Sequence, residues 1–178
     1  MDFMIEGGKG GAKTLTGLDF EQKIELRNAF TKFKEYTIKN DDLLYNGKVV
    51  ANMYKKDKFY KKFLEPRGID VRKILSKKLL PDDALFIILS NTLFIVEMKF
   101  QKVAGSVDEK LQTCDFKRKQ YQRLLSGTEI RVEYVYILND WFKDFHYKDV
   151  LDYIKGVGCH YFFEELPFSF LGLPEPEN

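Results

Sequence analysis

The sequence predicts an α/β fold with a mixed central sheet flanked by helices. Two apolar runs, Ala84–Leu89 and Thr92–Phe100, flank a turn at Ser90-Asn91 and read as a hairpin of that sheet. Helix-spaced stretches stand before the hairpin and directly after it, at Gly105–Leu125. Two further strand-like runs follow, Arg131–Leu138 and His160–Phe163, with a helical stretch between them. The order α, (α), β, β, α, β, α, β suits helices packed over a mixed sheet.

Taken in chain order, Gly7-Gly8-Lys9-Gly10-Gly11-Ala12-Lys13-Thr14 nearly spells a phosphate loop. Ala12 replaces the second required glycine, and Gly17 interrupts the helix that should follow, so a flexible entry loop is the better reading. Leu18–Lys39 reads as the first helix, with Leu26, Ala29, Phe30, Phe33 and Thr37 on one buried face. Asn40–Val50 holds turn residues around short apolar pieces, and Lys48–Met53 is a candidate strand. Tyr54–Leu64 reads as helical and ends near Pro66-Arg67-Gly68, and Ile69–Leu80 reads as a second basic helix stopped by Pro81. After the hairpin, Gly105–Leu125 places Val107, Leu111, Cys114, Arg118 and Tyr121 near one stripe, with Gly127 closing it. Arg131–Leu138 is a strand, Trp141–Lys155 a helix and His160–Phe163 a short aromatic strand. The tail from Pro167 carries Phe168, Phe170 and Leu171 to pack on the body.

Composition bounds the class. The 178 residues have the length of one domain, 1–178, and 44% hydrophobic with 15% aromatic residues suits a packed core. No apolar run approaches the ~20 residues of a membrane helix, so no membrane association is expected. Met1–Glu6 is short and acidic and does not read as a signal peptide. Cys114 and Cys159 lack zinc spacing and make a disulfide scaffold a poor reading, which suits a reduced, cytoplasmic setting. The net charge of +2 is uneven: residues 1–80 carry 18 basic and 11 acidic groups, residues 81–178 carry 11 and 16. Basic residues concentrate in Lys55–Lys78, interleaved with Tyr54, Phe59, Tyr60 and Phe63. Such a segment is either a solvated helix face or a surface for a phosphate backbone.

Asp82, Asp83, Glu97 and Lys99 are charges at the ends of apolar strands, where ionised groups lose hydration. Side chains alternate along a strand, so Glu97 and Lys99 share a face. A two-residue loop at Ser90-Asn91 makes Asp82 the diagonal neighbour of Glu97 on that face, and a three-residue loop selects Asp83 instead. Two carboxylates and an ammonium on one face suit a hard divalent cation, with the Met98 carbonyl as a further oxygen donor, or form a structural ion pair. His146 and His160 lack metal-ligand spacing and read as structural, as do Cys114 and Trp141.

Pro81-Asp82, fourteen intervening residues and Glu97-Met98-Lys99 resemble the PD-(D/E)XK nuclease superfamily. Phe100-Gln101, Gly105–Lys110 and Cys114-Asp115-Phe116-Lys117 look like bacterial type II restriction endonucleases, and the resemblance covers about residues 15–140. It implies a restriction-endonuclease-like αβββαβ core and a Mg²⁺-dependent endonuclease acting on double-stranded DNA, with Mn²⁺ as a substitute. Asp82 and Glu97 then bind metal, Lys99 serves the attacking water, and Glu21 on the first helix assists. Gln101 by parity, and Lys117 and Tyr121 on one helical face, are candidates for DNA contact. The chain fits a homodimer or the small catalytic subunit of a type IIS enzyme, paired with a larger DNA-recognising subunit. Alternatives are a DNA repair or junction-resolving nuclease of the same fold, and a nucleic-acid-binding protein that does not cut.

Overall fold

The computed structural model describes residues 14–15 and 26–177, and its sheet is built in two halves. A two-residue strand, β1 (Thr14–Leu15), and a short helix, α1 (Leu26–Phe30), come first. The strands β2 (Tyr36–Lys39), β3 (Asp42–Tyr45), β4 (Lys48–Tyr54), β5 (Asp83–Ile87) and β6 (Thr92–Lys99) then form an antiparallel meander. Between β4 and β5 lie a π-helical turn, Phe59–Leu64, and a single turn, α2 (Val71–Ile74). Two strands, β7 (Arg131–Leu138) and β8 (His160–Phe163), add in parallel and complete a seven-stranded mixed sheet in the order β2-β3-β4-β5-β6-β7-β8. Parallel neighbours need long crossovers. These carry α3 (Val107–Leu111) and α4 (Cys114–Leu124) before β7, and α5 (Lys148–Gly156) before β8. A small strand, β9 (Leu166–Pro167), pairs with β1 and leads into α6 (Phe168–Leu171).

Turn chemistry sets the first half. Asn46 and Gly47, at φ of 46° and 79°, make the primed two-residue turn that matches strand twist and joins β3 to β4. Asn40, at φ 55°, turns the chain between β2 and β3. The β5–β6 connection is longer than either expected form. Ile87 pairs with Thr92, leaving Ile88–Asn91 as a four-residue loop. The Asn91 N–H donates to the Ile88 carbonyl, and Asn91 takes a positive φ of 49°.

Helices cover both faces, so β6 is buried from Thr92 to Glu97 and reads as a nearly continuous apolar run. One face presents Ala84, Phe86, Leu93, Ile95, Tyr134 and Tyr136 to the π-helical turn, α4 and α5. The other presents Leu85, Ile87, Phe94, Val96, Val135 and Ile137 to α1 and α6. In the π-helical turn the apolar Phe59, Tyr60, Phe63 and Leu64 are buried, and Lys61 and Lys62 point to solvent. Gly68, at φ 71°, ends this segment after Pro66.

Several helical expectations need correction. The first helix ends at Phe30, and Tyr36–Lys39, with β-branched Thr37 and Ile38, is an edge strand. Leu26, Ala29 and Phe30 are buried as expected, but Thr37 is exposed. Ile69–Leu80 is helical only over Val71–Ile74, and Gly105–Leu125 is broken between Leu111 and Cys114. Gly127 does not adopt a left-handed cap. Trp141–Lys155 begins with two 3₁₀ turns and becomes α-helical only from Lys148. Glu21 and the glycine-rich run Gly7–Lys13 lie outside the described residues.

The aromatic tail closes the second face. Phe168 is fully buried, stacked on Tyr36 at 5.2 Å and edge-on to Phe30 and Phe33 at 5.9 and 5.2 Å. Phe168→Ala is expected to cost about 3–5 kcal/mol in urea unfolding, as deletion of a buried ring does elsewhere. A loss below ~1 kcal/mol means the tail is not part of the cooperative core.

Candidate active site

Two strand registers bring the charged residues into one row. β4 pairs with β5 so that Tyr54 faces Ala84, where the ladder ends; Lys56, in the turn beyond β4, donates its N–H to the Pro81 carbonyl and brings its ammonium to Asp82. β5 pairs with β6 so that Asp83 faces Val96, the last pair of that ladder, with Asp82 in the bend just before β5 and Glu97 next along β6. In the parallel half, Glu97 lies beside Tyr136. Lys56 and Asp82, paired just beyond the ends of β4 and β5, and Glu97 beside Tyr136 therefore form a row at one end of four neighbouring strands. The four-residue loop keeps the even parity of a two-residue loop, so Asp83 shares the face of Val96 and not that of Glu97.

Asp83 turns the other way. It is buried, on the face of Leu85 and Val96, with the Lys55 ammonium 3.8 Å from its Oδ1. Asp82 is half-exposed, and Lys56 Nζ donates to its Oδ1 at 2.5 Å. With side chains 54% and 38% exposed, that pair contributes ~1 kcal/mol or less. Lys56 has a positive φ of 45°, which is uncommon for a side chain of this size. Its N–H donates to the Pro81 carbonyl at 3.1 Å, and its own carbonyl accepts from the Phe59 N–H at 3.2 Å. The backbone thus ties the end of β4 both to the acidic turn and to the π-helical turn.

Glu97 is only 5% exposed, and two ammonium groups hold it. Lys99 Nζ stands 3.0 Å from Oε2, and Lys117 Nζ, from α4, donates to both carboxylate oxygens at 3.0 Å. The buried Tyr134 hydroxyl lies beside the same carboxylate and has no hydrogen bond of normal geometry. Burial pushes the Glu97 carboxyl up, but Lys99, Lys117 and Tyr134 together outweigh it and hold the group below its ordinary value. Beneath the row, Tyr121 is pushed far above a phenol's ordinary value by burial, Tyr60, Glu97 and Asp82 in that order, so this ring senses both carboxylates.

The exit from β6 is fixed by amides. The Asn139 N–H donates to the Lys99 carbonyl at 3.3 Å. The Asn139 side chain accepts from the Gln101 N–H at 3.1 Å and donates to the Gln101 carbonyl at 2.9 Å. Gln101 does not line the Glu97 face as parity suggests, because the strand ends at Lys99. Its Nε2 donates into the following loop, to Val103 O at 2.8 Å and Gly105 O at 3.5 Å, and the residue is buried. His146 and His160 each meet a carboxylate of their own, Asp144 and Glu133. Neither was expected at the site, and neither joins it.

No family model, curated protein or solved structure matches this chain. Among the described residues, no three His, Cys, Asp or Glu side chains form a metal cage. Magnesium needs fewer, since it keeps several waters and takes one or two carboxylates. Asp82 and Glu97 are hard oxygen donors, and each is met by an ammonium group. That donor set fits a divalent cation, with Glu21 outside the described residues.

Sequence reasoning placed Lys117 toward a nucleic-acid backbone and overlooked Lys56 as a member of the row. Nothing in the sequence says that β4 pairs with β5, so Lys56 was hidden in the basic segment. Tyr134 was more accessible: alternation in Arg131–Leu138 puts its phenol on an apolar face, where a hydroxyl needs a partner.

Because the folded-state value of Glu97 lies below the unfolded one, its ionised form adds stability above the ordinary carboxylate range. That contribution is lost as pH falls through the depressed folded value. Urea unfolding of Glu97→Gln from neutral to acidic pH is expected to show a shallower acid loss than wild type. Identical acid limbs would assign the loss to other groups.

Proposed function

We propose that this chain is a Mg²⁺-dependent DNA endonuclease of the PD-(D/E)XK type, the cleavage domain or subunit of a type II restriction system. The observation that carries the reading is the registered row of Asp82 and Glu97 with Lys99 beside them. Two carboxylates and an ammonium at the end of a buried strand are costly to place and chemically useful together. The chain order α1, β4, β5, β6, α4, β7 supports an αβββαβ core, with the β2–β3 hairpin inserted after the helix.

In this reading Asp82 and Glu97 hold the cation, with the Met98 carbonyl as a further donor and Glu21 assisting. A cation held there would lower the pKa of a water and neutralise charge on a phosphate oxygen. Lys99 orients the attacking water and stabilises charge on the pentavalent phosphorus. Its ammonium stands 3.0 Å from Glu97 Oε2, beside the carboxylate that would take the cation. Lys117 orients the Glu97 carboxylate from the opposite side. The substrate is double-stranded DNA.

The basic segment favours a cleavage subunit that borrows recognition from a larger partner over a free-standing homodimer. Much of its charge is matched internally: Lys58 and Lys62 meet Asp41, and Lys78 lies 3.9 Å from Asp57. A protein that finds DNA unaided needs many phosphate contacts. Among the described residues no helix is long and apolar enough to cross a membrane.

Plasmid cleavage with Mg²⁺, with and without a co-expressed recognition subunit, tests the reading. Asp82→Asn, Glu97→Ala and Lys99→Ala are each expected to lower cutting by at least ~10²-fold while circular dichroism remains native. Asp83→Asn is expected to lower stability and spare the chemistry. Full cutting by Glu97→Ala and Lys99→Ala, or loss of cutting in a stable Asp83→Asn with Asp82→Asn active, sinks the site assignment.

A further inference from the structure

The role of Lys56 in the row is open, and two features converge on it. Its backbone is held at positive φ by hydrogen bonds on both sides, to Pro81 and from Phe59. Residues in sparsely populated backbone regions persist where the surroundings fix them, and they cluster at functional sites. Its ammonium is on Asp82 Oδ1 at 2.5 Å, while the side chain remains 54% exposed. The main chain is therefore fixed, and the charged end is accessible and weakly held.

We propose that Lys56 is a phosphate-binding residue for the DNA substrate, parked on Asp82 until the substrate and the cation arrive. This rests on the nuclease reading above and deepens it by coupling the two ligands. A cation on Asp82 and the Lys56 ammonium compete for the same oxygen and repel one another. A phosphodiester brought to the row offers the displaced ammonium a new partner at the site where charge is being gathered. Neighbouring Lys55 is unsuited to this exchange, since its partner Asp83 is buried on the other face. Lys117 differs too: it bonds both oxygens of buried Glu97 and serves to orient that carboxylate. Substrate and cation should then bind cooperatively, each weakening the contact that opposes the other.

The test uses full-length protein, wild type and Lys56→Met, with Lys56→Gly as a second variant that also relieves the positive φ. Calorimetric titration with Mg²⁺ alone is expected to show about fivefold tighter binding in both variants, the loss of a competitor worth an exposed ion pair. In the Asp82→Asn background the same substitutions are expected to leave metal binding unchanged. Binding of a short DNA duplex in EDTA over a range of salt is expected to weaken, with the log–log salt slope reduced by about one. If wild type binds duplex but both variants keep its Mg²⁺ affinity or its salt slope, the proposal is overturned and the nuclease reading stands. If wild type neither binds nor cuts DNA with or without a recognition partner, both fall.

Discussion

Glu97 keeps an ionised carboxylate at the end of a strand that is covered on both faces, and such a group survives only with close partners. Those partners come from three parts of the chain: Lys99 from the same strand, Lys117 from α4 and Tyr134 from β7. The docking of α4 over the sheet is thus tied to the charge state of one side chain. The partners are also informative in kind. Buried structural carboxylates are often satisfied by backbone N–H groups, which cannot move. Here the main partners are ammonium groups on long stems, 21% and 26% exposed, which can shift when another cation takes their place.

The second constraint is register. Side chains alternate strictly along a strand, so a slip of one residue between β5 and β6 would bring Asp83 onto the face of Glu97. Three features resist that slip. Asn91 accepts the left-handed conformation that the loop requires. Lys55 and Lys56 pair with Asp83 and Asp82 on opposite faces, so each aspartate is held to its side. Apolar residues alternate in step on both faces, Ala84 and Phe86 against Leu85 and Ile87. The four-residue loop and the site geometry are therefore one fact seen from two ends of a hairpin.

Most strands and one face of the site were legible in the sequence. Lys48–Met53, Arg131–Leu138 and His160–Phe163 carry their identity in β-branched and aromatic residues, and these segments fold as read. Parity alone put Glu97 with Lys99, because that relation lies within one strand. Helix lengths were less legible. Ile69–Leu80 has helical composition, but Asp70 caps only a single turn before the chain extends at Leu75. Tyr36–Lys39 has spacing compatible with a helix and is claimed by the sheet through its hairpin with β3. What was illegible is pairing between distant segments. The opposition of Lys56 to Asp82 depends on which strand flanks β5, and no local pattern encodes that.

Pairing also changes the meaning of the basic segment. Counted along the chain, Lys55–Lys78 is a block of positive charge. Folded, it is partly neutralised by carboxylates that turns and strand ends bring to it, with Asp41 alone meeting Arg27, Lys58 and Lys62. Lys61, Lys73 and Lys77 are exposed and carry no ion pair among the described residues. The long-range attraction for a polyanion is accordingly weaker than the count suggests, since opposite charges a few ångströms apart cancel beyond a Debye length. Under the proposed reading, such a surface suits a subunit that a partner delivers to DNA. At short range the decisive charges are those that can exchange partners, and the row from Lys56 through Asp82 to Glu97 is where they are concentrated.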